Sequence, residues 1–389
     1  MTSGNKSSAI GERRQSRQSP VDKESPFYVP TVLDLLGGLV NRFPRPWLWF
    51  GNLESSLLAS EIVNTPVVKP IYVCGLARSG STLLHEILSS HPGVATHRIK
   101  DYPFVSTPYW WRRAIALARP TEARERPHRD KMMVTSDSPD AIEEMLWMAF
   151  FPGCHNPNFD NRLESRNRNS GFDTFYFNHI RKLLLVEKAT RYAAKANYHV
   201  ARLPYILRLF PDAKFVIPIR TPAGHIASLV RQHEWFSSGH RQSPKSLAFM
   251  QRSGHFEFGR DRRPINLGDR NRVKVIQDAW ASGNEILGWS YYWDMVYRYL
   301  AQLLDSNEAI RKASIVVRFE ELCDHPAAVL QSVLKHCELP DATPILEKFA
   351  PAIHRPDYYK SPLTSEELAI IQSQTAGTVR HYQMMSLET

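Results

Sequence analysis

At 389 residues, 43% of them hydrophobic and 11% aromatic, the chain has material for one large α/β domain with decorations, or for two domains. Lys and Arg number 49 against 39 Asp and Glu, a net charge of +10 that suits an anionic ligand or a membrane surface. With no run of five basic residues and no RNA-binding aromatic signature, nucleic acid is not an expected partner.

The first 26 residues are polar and hold no apolar core for a signal peptide, which predicts a disordered tail on a soluble, cytoplasmic protein. No apolar run approaches the ~20 residues of a membrane span. Residues 27–66 read as a helical segment packing on the main domain. A helix starts at Thr31 and Asp34, carries Val32, Leu35, Leu36, Leu39, Val40 and Phe43 on one face, and stops at Pro44 and Pro46. Trp47 and Trp49 are expected to pack against the core, a peripheral membrane contact being their other use.

Residues 67–389 form the predicted main domain, organised around Val67–Pro92. Ile71–Cys74 is the short apolar run of a strand covered on both faces, and Leu83, Leu84, Ile87 and Leu88 repeat at one-face helical spacing. Between them Gly75-Leu-Ala-Arg-Ser-Gly80-Ser81-Thr82 predicts a tight turn opening a helix. The open N–H groups and dipole of that helix make an anion cradle, and Arg78 adds a forked cation. The frame is that of a P-loop, but Ser81 stands where a triphosphatase needs its lysine. A site that only holds a 5′-phosphate can place its cation elsewhere, at Arg78.

The stretch resembles the 5′-phosphosulfate loop of sulfotransferases that use 3′-phosphoadenosine 5′-phosphosulfate (PAPS). R-S-G-S-T-L-L with a following H-P pair is similar to the bacterial and Golgi-type members. The resemblance extends over about Pro70–Ala376. It implies a P-loop-type parallel sheet flanked by helices, with helical and loop insertions forming the acceptor side. It also implies PAPS as cosubstrate, no metal, and Arg78, Ser79, Gly80, Ser81 and Thr82 on the 5′-phosphosulfate.

Further along, the base that relieves the acceptor hydroxyl of its proton has candidates in His97 and Asp101, just after the cradle helix, with Glu144 in reserve. Ser138 is expected to cap the helix bearing Glu143 and Glu144, and Asn156–Gly171 to form an insertion over the site mouth. Phe172–Lys182 reads as a helix, Leu183–Val186 as a strand, and Lys195 as a turn residue able to reach the sulfuryl group. Phe215–Ile219 reads as a buried strand, with Pro218 expected near its carboxyl end.

Arg220 leaves that strand and Ser228 follows two helical turns later, a pair able to clamp one tetrahedral anion. The resemblance assigns that anion as the ribose 3′-phosphate, and places Phe319 near the adenine and Arg355, Tyr358 or Lys360 in a loop closing over the cofactor. His233, Trp235, Phe236, His255 and Phe258 are expected to line an acceptor pocket. Buried free thiols are expected of Cys74, Cys154, Cys323 and Cys337, which lack ligand spacing.

The expected function is sulfuryl transfer to a hydroxyl or amine of a small-molecule, lipid or glycan acceptor. The alternatives are a nucleotide kinase or NTPase with a degenerate loop, and a non-catalytic nucleotide-binding module.

Overall fold

Strand β1 (Ile71–Val73) is central in the computed structural model, which describes residues 24–118, 121–355 and 363–385. Its neighbours follow from the register: Ile71 lies opposite Ala193 of one strand and Lys214 of another, both parallel. With β2 (Val94–Ala95), a small ribbon of β3 (Arg124–Glu125) and β4 (Met133–Val134), then β5 (Arg191–Lys195), β6 (Lys214–Ile219) and β7 (Ser314–Arg318), the strands are complete among the described residues. The five-stranded sheet has the order β2-β5-β1-β6-β7, all pairs parallel. The chain leaves β1 toward β2 on one side and leaves β6 toward β7 on the other. The crevice at the carboxyl ends of β1 and β6 is therefore the switch point of the sheet, where ligands of such folds bind. The α/β class and parallel, helix-flanked sheet are as the sequence predicts.

Helix Ser81–Ser89 seats Leu84, Ile87 and Leu88 against Ile71 and Val73 of the sheet. Pro218 occupies the penultimate position of β6, where it costs little pairing, and its carbonyl accepts from the Tyr297 hydroxyl at 3.1 Å. All four cysteines are unpaired.

Several elements differ from expectation. Leu183 and Leu184 continue the apolar side of one helix, Ser170–Glu187, and the strand falls on Arg191–Lys195, whose small Ala193 and Ala194 suit the crowded sheet centre. Lys195 thus ends a strand instead of lying in a turn. The helix predicted to stop at two prolines resumes at the first of them, which takes the tolerated first-turn position of helix Pro44–Leu57. Ser138 does not cap the Glu144–Phe150 helix; its hydroxyl accepts from Thr135 N–H at 3.0 Å. Helices Arg270–Ala281 and Glu285–Ser306 are separated at Gly283, which has φ +80°. The predicted tail falls outside the described residues up to residue 23.

The N-terminal helices are fastened by one fully buried ion pair. Lys182 Nζ lies 2.8 Å from Glu54 Oε2, both side chains 0% exposed, and also donates to the Gly51 carbonyl at 2.8 Å. Burial lowers the Lys182 pKa and raises that of Glu54, each against the pull of its partner. Breaking one half leaves an uncompensated buried charge. Lys182→Met is expected to lower unfolding free energy by about 3–5 kcal/mol, and Glu54→Leu in the same chain to restore most of it. Urea denaturation of the two variants measures the difference.

Candidate active site

The turn after β1 is built for close approach by an anion. Gly80 begins the cradle helix with φ 99°, and a Cβ there would stand 2.8 Å from the Phe319 ring, so only glycine fits. No side chain caps this helix, which leaves its first N–H groups open at Ser81 and Thr82. Ser79 does not join them. Its N–H and its hydroxyl both point to the Leu76 carbonyl, at 3.3 and 2.7 Å, closing the turn. The loop is fixed from behind by His225, whose Nε2–H donates to the Ala77 carbonyl at 2.8 Å while Nδ1 accepts from Trp293 Nε1 at 3.1 Å. Burial pushes the His225 pKa down to about 3, so this tautomer is the neutral ring.

Arg78 has φ 71°, an uncommon left-handed conformation for a non-glycine residue, and its side chain is mostly buried. Nε donates to Ser228 Oγ at 3.2 Å, and one terminal nitrogen binds Asp130 Oδ2 at 2.7 Å. Asp130, from the turn of the β3–β4 ribbon, is shared with Arg126. Burial would raise the Asp130 carboxyl, but Arg126 and Arg78 hold it well below the usual range. Arg220 stands alongside, its guanidinium 3.5 Å from the Arg78 carbonyl and 4.8 Å above the Phe319 ring. The two arginines and Ser228 therefore form one cationic corner at the switch point. Nothing in the spacing of residues 124–134 foretold that a carboxylate would stand there.

Arg355 is largely exposed, is bound to Asp324 at 2.7 Å and does not line the cavity beside Arg78. Tyr358 and Lys360 lie outside the described residues.

The residues expected to serve as base are elsewhere. Asp101 is fully buried and receives two Arg112 nitrogens, one at 2.8 Å, together with the Arg98 N–H at 2.9 Å. Burial opposes its ionisation, yet the Arg112 hydrogen bonds win and hold its pKa far below normal. His97 is sandwiched between Asp101, 3.5 Å from Nδ1, and His179, 3.0 Å from Nε2. Glu144 is equally buried, held by both terminal nitrogens of Arg202 at 2.9 and 2.6 Å, with His155 at 2.8 Å. None of the three lines the cavity beside Arg78. Each carboxylate is already satisfied by a buried arginine and has no basicity to offer.

That cavity, about 300 Å³, runs from Arg78, Ser81 and Thr82 to an apolar end walled by Phe27, Phe236, Phe249, Met250 and Phe258. Of the predicted lining residues, Phe236, His255 and Phe258 are present. Trp235 instead lies under the Arg129 guanidinium, 3.2 Å from its ring centre, and His233 faces Glu285. Asn156–Gly171 supplies none of the wall, Asn161 being bonded into the Asn266 loop.

On the polar side of the cavity stand Lys195, His255, Glu257 and Asp140. Glu257 Oε1 lies 3.5 Å from His255 Nδ1 and accepts from Asn197. Burial would raise the Glu257 pKa, but His255 and Lys195 bring it down to about 2. Burial would lower that of His255, and Glu257 more than offsets it, leaving the imidazole pKa raised. Burial also lowers the Lys195 pKa, with Arg126 and Arg78 adding to the effect and Glu257 opposing it. His255 Nε2 makes no hydrogen bond among the described residues. The Glu257 partner, two residues on, is a signal the sequence carried and composition did not single out.

Residues 70–257 match the family model described as Sulfotransferase family. Comparison with the curated proteins returns no match. Among solved structures, the sulfotransferase STF1 of Mycobacterium tuberculosis is similar at 15% identity and TM-score 0.48, covering 88% of this chain and 87% of that one. The sulfotransferase STF9 of Mycobacterium avium is similar at 16% identity and TM-score 0.47, covering 84% of this chain and 80% of that one. The stretch matched by the family contains the uncapped cradle, Arg78, Arg220, Ser228 and the His255–Glu257 pair. Over residues 70–257 the chain thus carries the match to a sulfotransferase-family domain.

Proposed function

We propose that the chain transfers a sulfuryl group from PAPS to the hydroxyl of an apolar molecule. The observation that carries this reading is the cationic corner of Arg78, Arg220 and Ser228, beside an uncapped helix and opening on an apolar cavity. The fit to PAPS rests on the donor set. Open N–H groups and Arg78 suit the 5′ anion, while Arg220 and Ser228 suit a second phosphate. Gly80 keeps the approach clear, and Phe319 offers a ring, without a hydroxyl, for stacking.

PAPS supplies an activated sulfuryl group on a bisphosphate leaving group. Arg78 neutralises the charge that gathers at the 5′ end as transfer proceeds. Lys195, its pKa lowered, is the second cation on that side of the cavity. His255 Nε2 takes the acceptor proton, and Glu257, facing Nδ1, holds the ring and stabilises the imidazolium. The aromatic and methionine walls exclude water and admit an apolar alcohol.

The test has two arms on the full chain. Calorimetry is expected to show 3′,5′-adenosine bisphosphate binding without metal. Bisphosphate release from PAPS is expected to accelerate on adding octan-1-ol, 2-naphthol or cholesterol. Absence of binding overturns the nucleotide reading. Binding without acceleration by any of the three favours a nucleotide-binding module that does not transfer.

A further inference from the structure

Two consecutive helices of this chain carry large apolar side chains on their outward faces. In Thr31–Arg42, Leu33, Gly37 and Val40 face inward, Leu33 walling the cavity. Gly37 presses so closely on Tyr102 that a Cβ there would stand 1.9 Å from its hydroxyl. The opposite stripe, Val32, Leu35 and Leu39, is open to solvent at 69%, 67% and 49% exposure. In Pro44–Leu57, Trp49, Phe50 and Leu57 likewise face outward, while Glu54 and Ser55 are buried. Of the 15 large apolar side chains exposed among the described residues, 8 fall between Val32 and Val63. An exposed apolar concentration of this kind marks a contact surface.

The charge around it selects the occupant. From Leu35 to Leu53 the sequence has no acidic residue, and its two cations, Arg42 and Arg45, are both exposed. Asp34 is withdrawn into a bond with Arg252 at 2.7 Å, and the exposed Lys245 reaches Thr31 Oγ1 at 3.0 Å. From Leu35 to Leu53 the apolar stripes and their aromatic side chains are edged only by cations, the exposed Glu61 following one turn beyond Leu57, and such a face matches the boundary between anionic headgroups and acyl chains. The same segment walls the cavity with Phe27, Val29, Pro30 and Leu33, so its outer face and the acceptor space are separated by one helix thickness.

We propose that helices Thr31–Arg42 and Pro44–Leu57 dock the protein on an anionic lipid surface. Resting on the sulfuryl-transfer reading above, the acceptor is then an alcohol carried in that surface. No described helix is long and apolar enough to cross a membrane, so the contact is interfacial.

The experiment floats the full chain with vesicles of phosphatidylcholine alone or with one quarter phosphatidylglycerol, no nucleotide present. Wild type is expected to bind the anionic vesicles at least tenfold more tightly than the neutral ones and to release in 0.5 M KCl. The triple variant Leu35→Ser, Leu39→Ser, Trp49→Ser is expected to lose at least tenfold in vesicle affinity. Its circular dichroism, melting temperature and bisphosphate affinity should stay as in wild type. With PAPS, it should sulfate soluble 2-naphthol at the wild-type rate and vesicle-borne cholesterol more slowly. Equal vesicle binding by wild type and variant overturns the proposal. So does sedimentation equilibrium showing a dimer that the variant dissociates, which assigns the stripes to a second copy. Failure of bisphosphate binding with vesicle binding intact overturns the transfer reading and leaves the docking surface standing.

Discussion

Replacing Arg78 by alanine is expected to reduce bisphosphate release from PAPS by about 10³-fold, the scale at which removal of one preorganised charge donor slows a reaction that builds negative charge. The guanidinium is largely withdrawn from water and fixed from two sides, by Ser228 at 3.2 Å and Asp130 at 2.7 Å. It therefore needs no reorganisation to meet charge at the cradle. Arg78→Lys should recover little, because one ammonium cannot serve both Ser228 and an anion through a rigid fork. Arg220→Ala should act differently, raising the dissociation constant for the bisphosphate about tenfold while slowing saturated turnover far less. Asp130→Asn carries the opposite sign. The Asp130 carboxylate is an anion already seated on Arg78, so removing its charge should tighten bisphosphate binding roughly tenfold. Single-turnover kinetics and calorimetry on the four variants separate these effects. A wild-type rate in Arg78→Ala would remove the arginine from the reaction.

The parts of this site that could be read from residues alone are those whose geometry is local. Glycine spacing, a helical stripe of leucines and an apolar tetrapeptide mark the cradle within one short stretch, and the strand, turn and helix stand where they were expected. The Arg220–Ser228 pair is similar, since one strand end and two helical turns set its span. The base was not readable in this way. His97 and Asp101 sit at the right distance along the chain, but Arg112 and His179, from two other helices, bury and pair them. Glu144 meets the same fate through Arg202. Sequence distance reports neither partner.

The N-terminal segment shows a second limit. Its periodicity announces an amphipathic helix, while which stripe faces the protein depends on Gly37 meeting Tyr102. Strand Arg191–Lys195 was hidden for a related reason. The apolar run beside it, Leu183–Val186, has strand-like composition and was claimed by a helix long enough to extend its buried face.

His255→Gln is expected to lower saturated turnover by about 10²-fold while leaving bisphosphate affinity unchanged, since the imidazole lines the acceptor cavity and not the arginine corner. The pH dependence distinguishes a base from a mere wall residue. Facing the ring are Glu257 at 3.5 Å, with Asp140 and Lys195 acting over longer range. Burial lowers the imidazole pKa and Lys195 adds to that, but the carboxylate of Glu257, aided by Asp140, outweighs them. The folded-state value thus lies above the ordinary 6.5. A base must be neutral to accept a proton, so wild-type turnover should rise with pH through that raised value. In Glu257→Gln the raising charge is gone, burial and Lys195 remain, and the rising limb should move to lower pH. Its plateau should also fall, because a weaker base accepts the acceptor proton less readily. Asp140→Asn should move the limb in the same direction by less. In His255→Gln the limb should vanish, leaving a slow, nearly pH-independent rate. A limb that persists unchanged in His255→Gln belongs to another group, and the imidazole is then only part of the cavity wall.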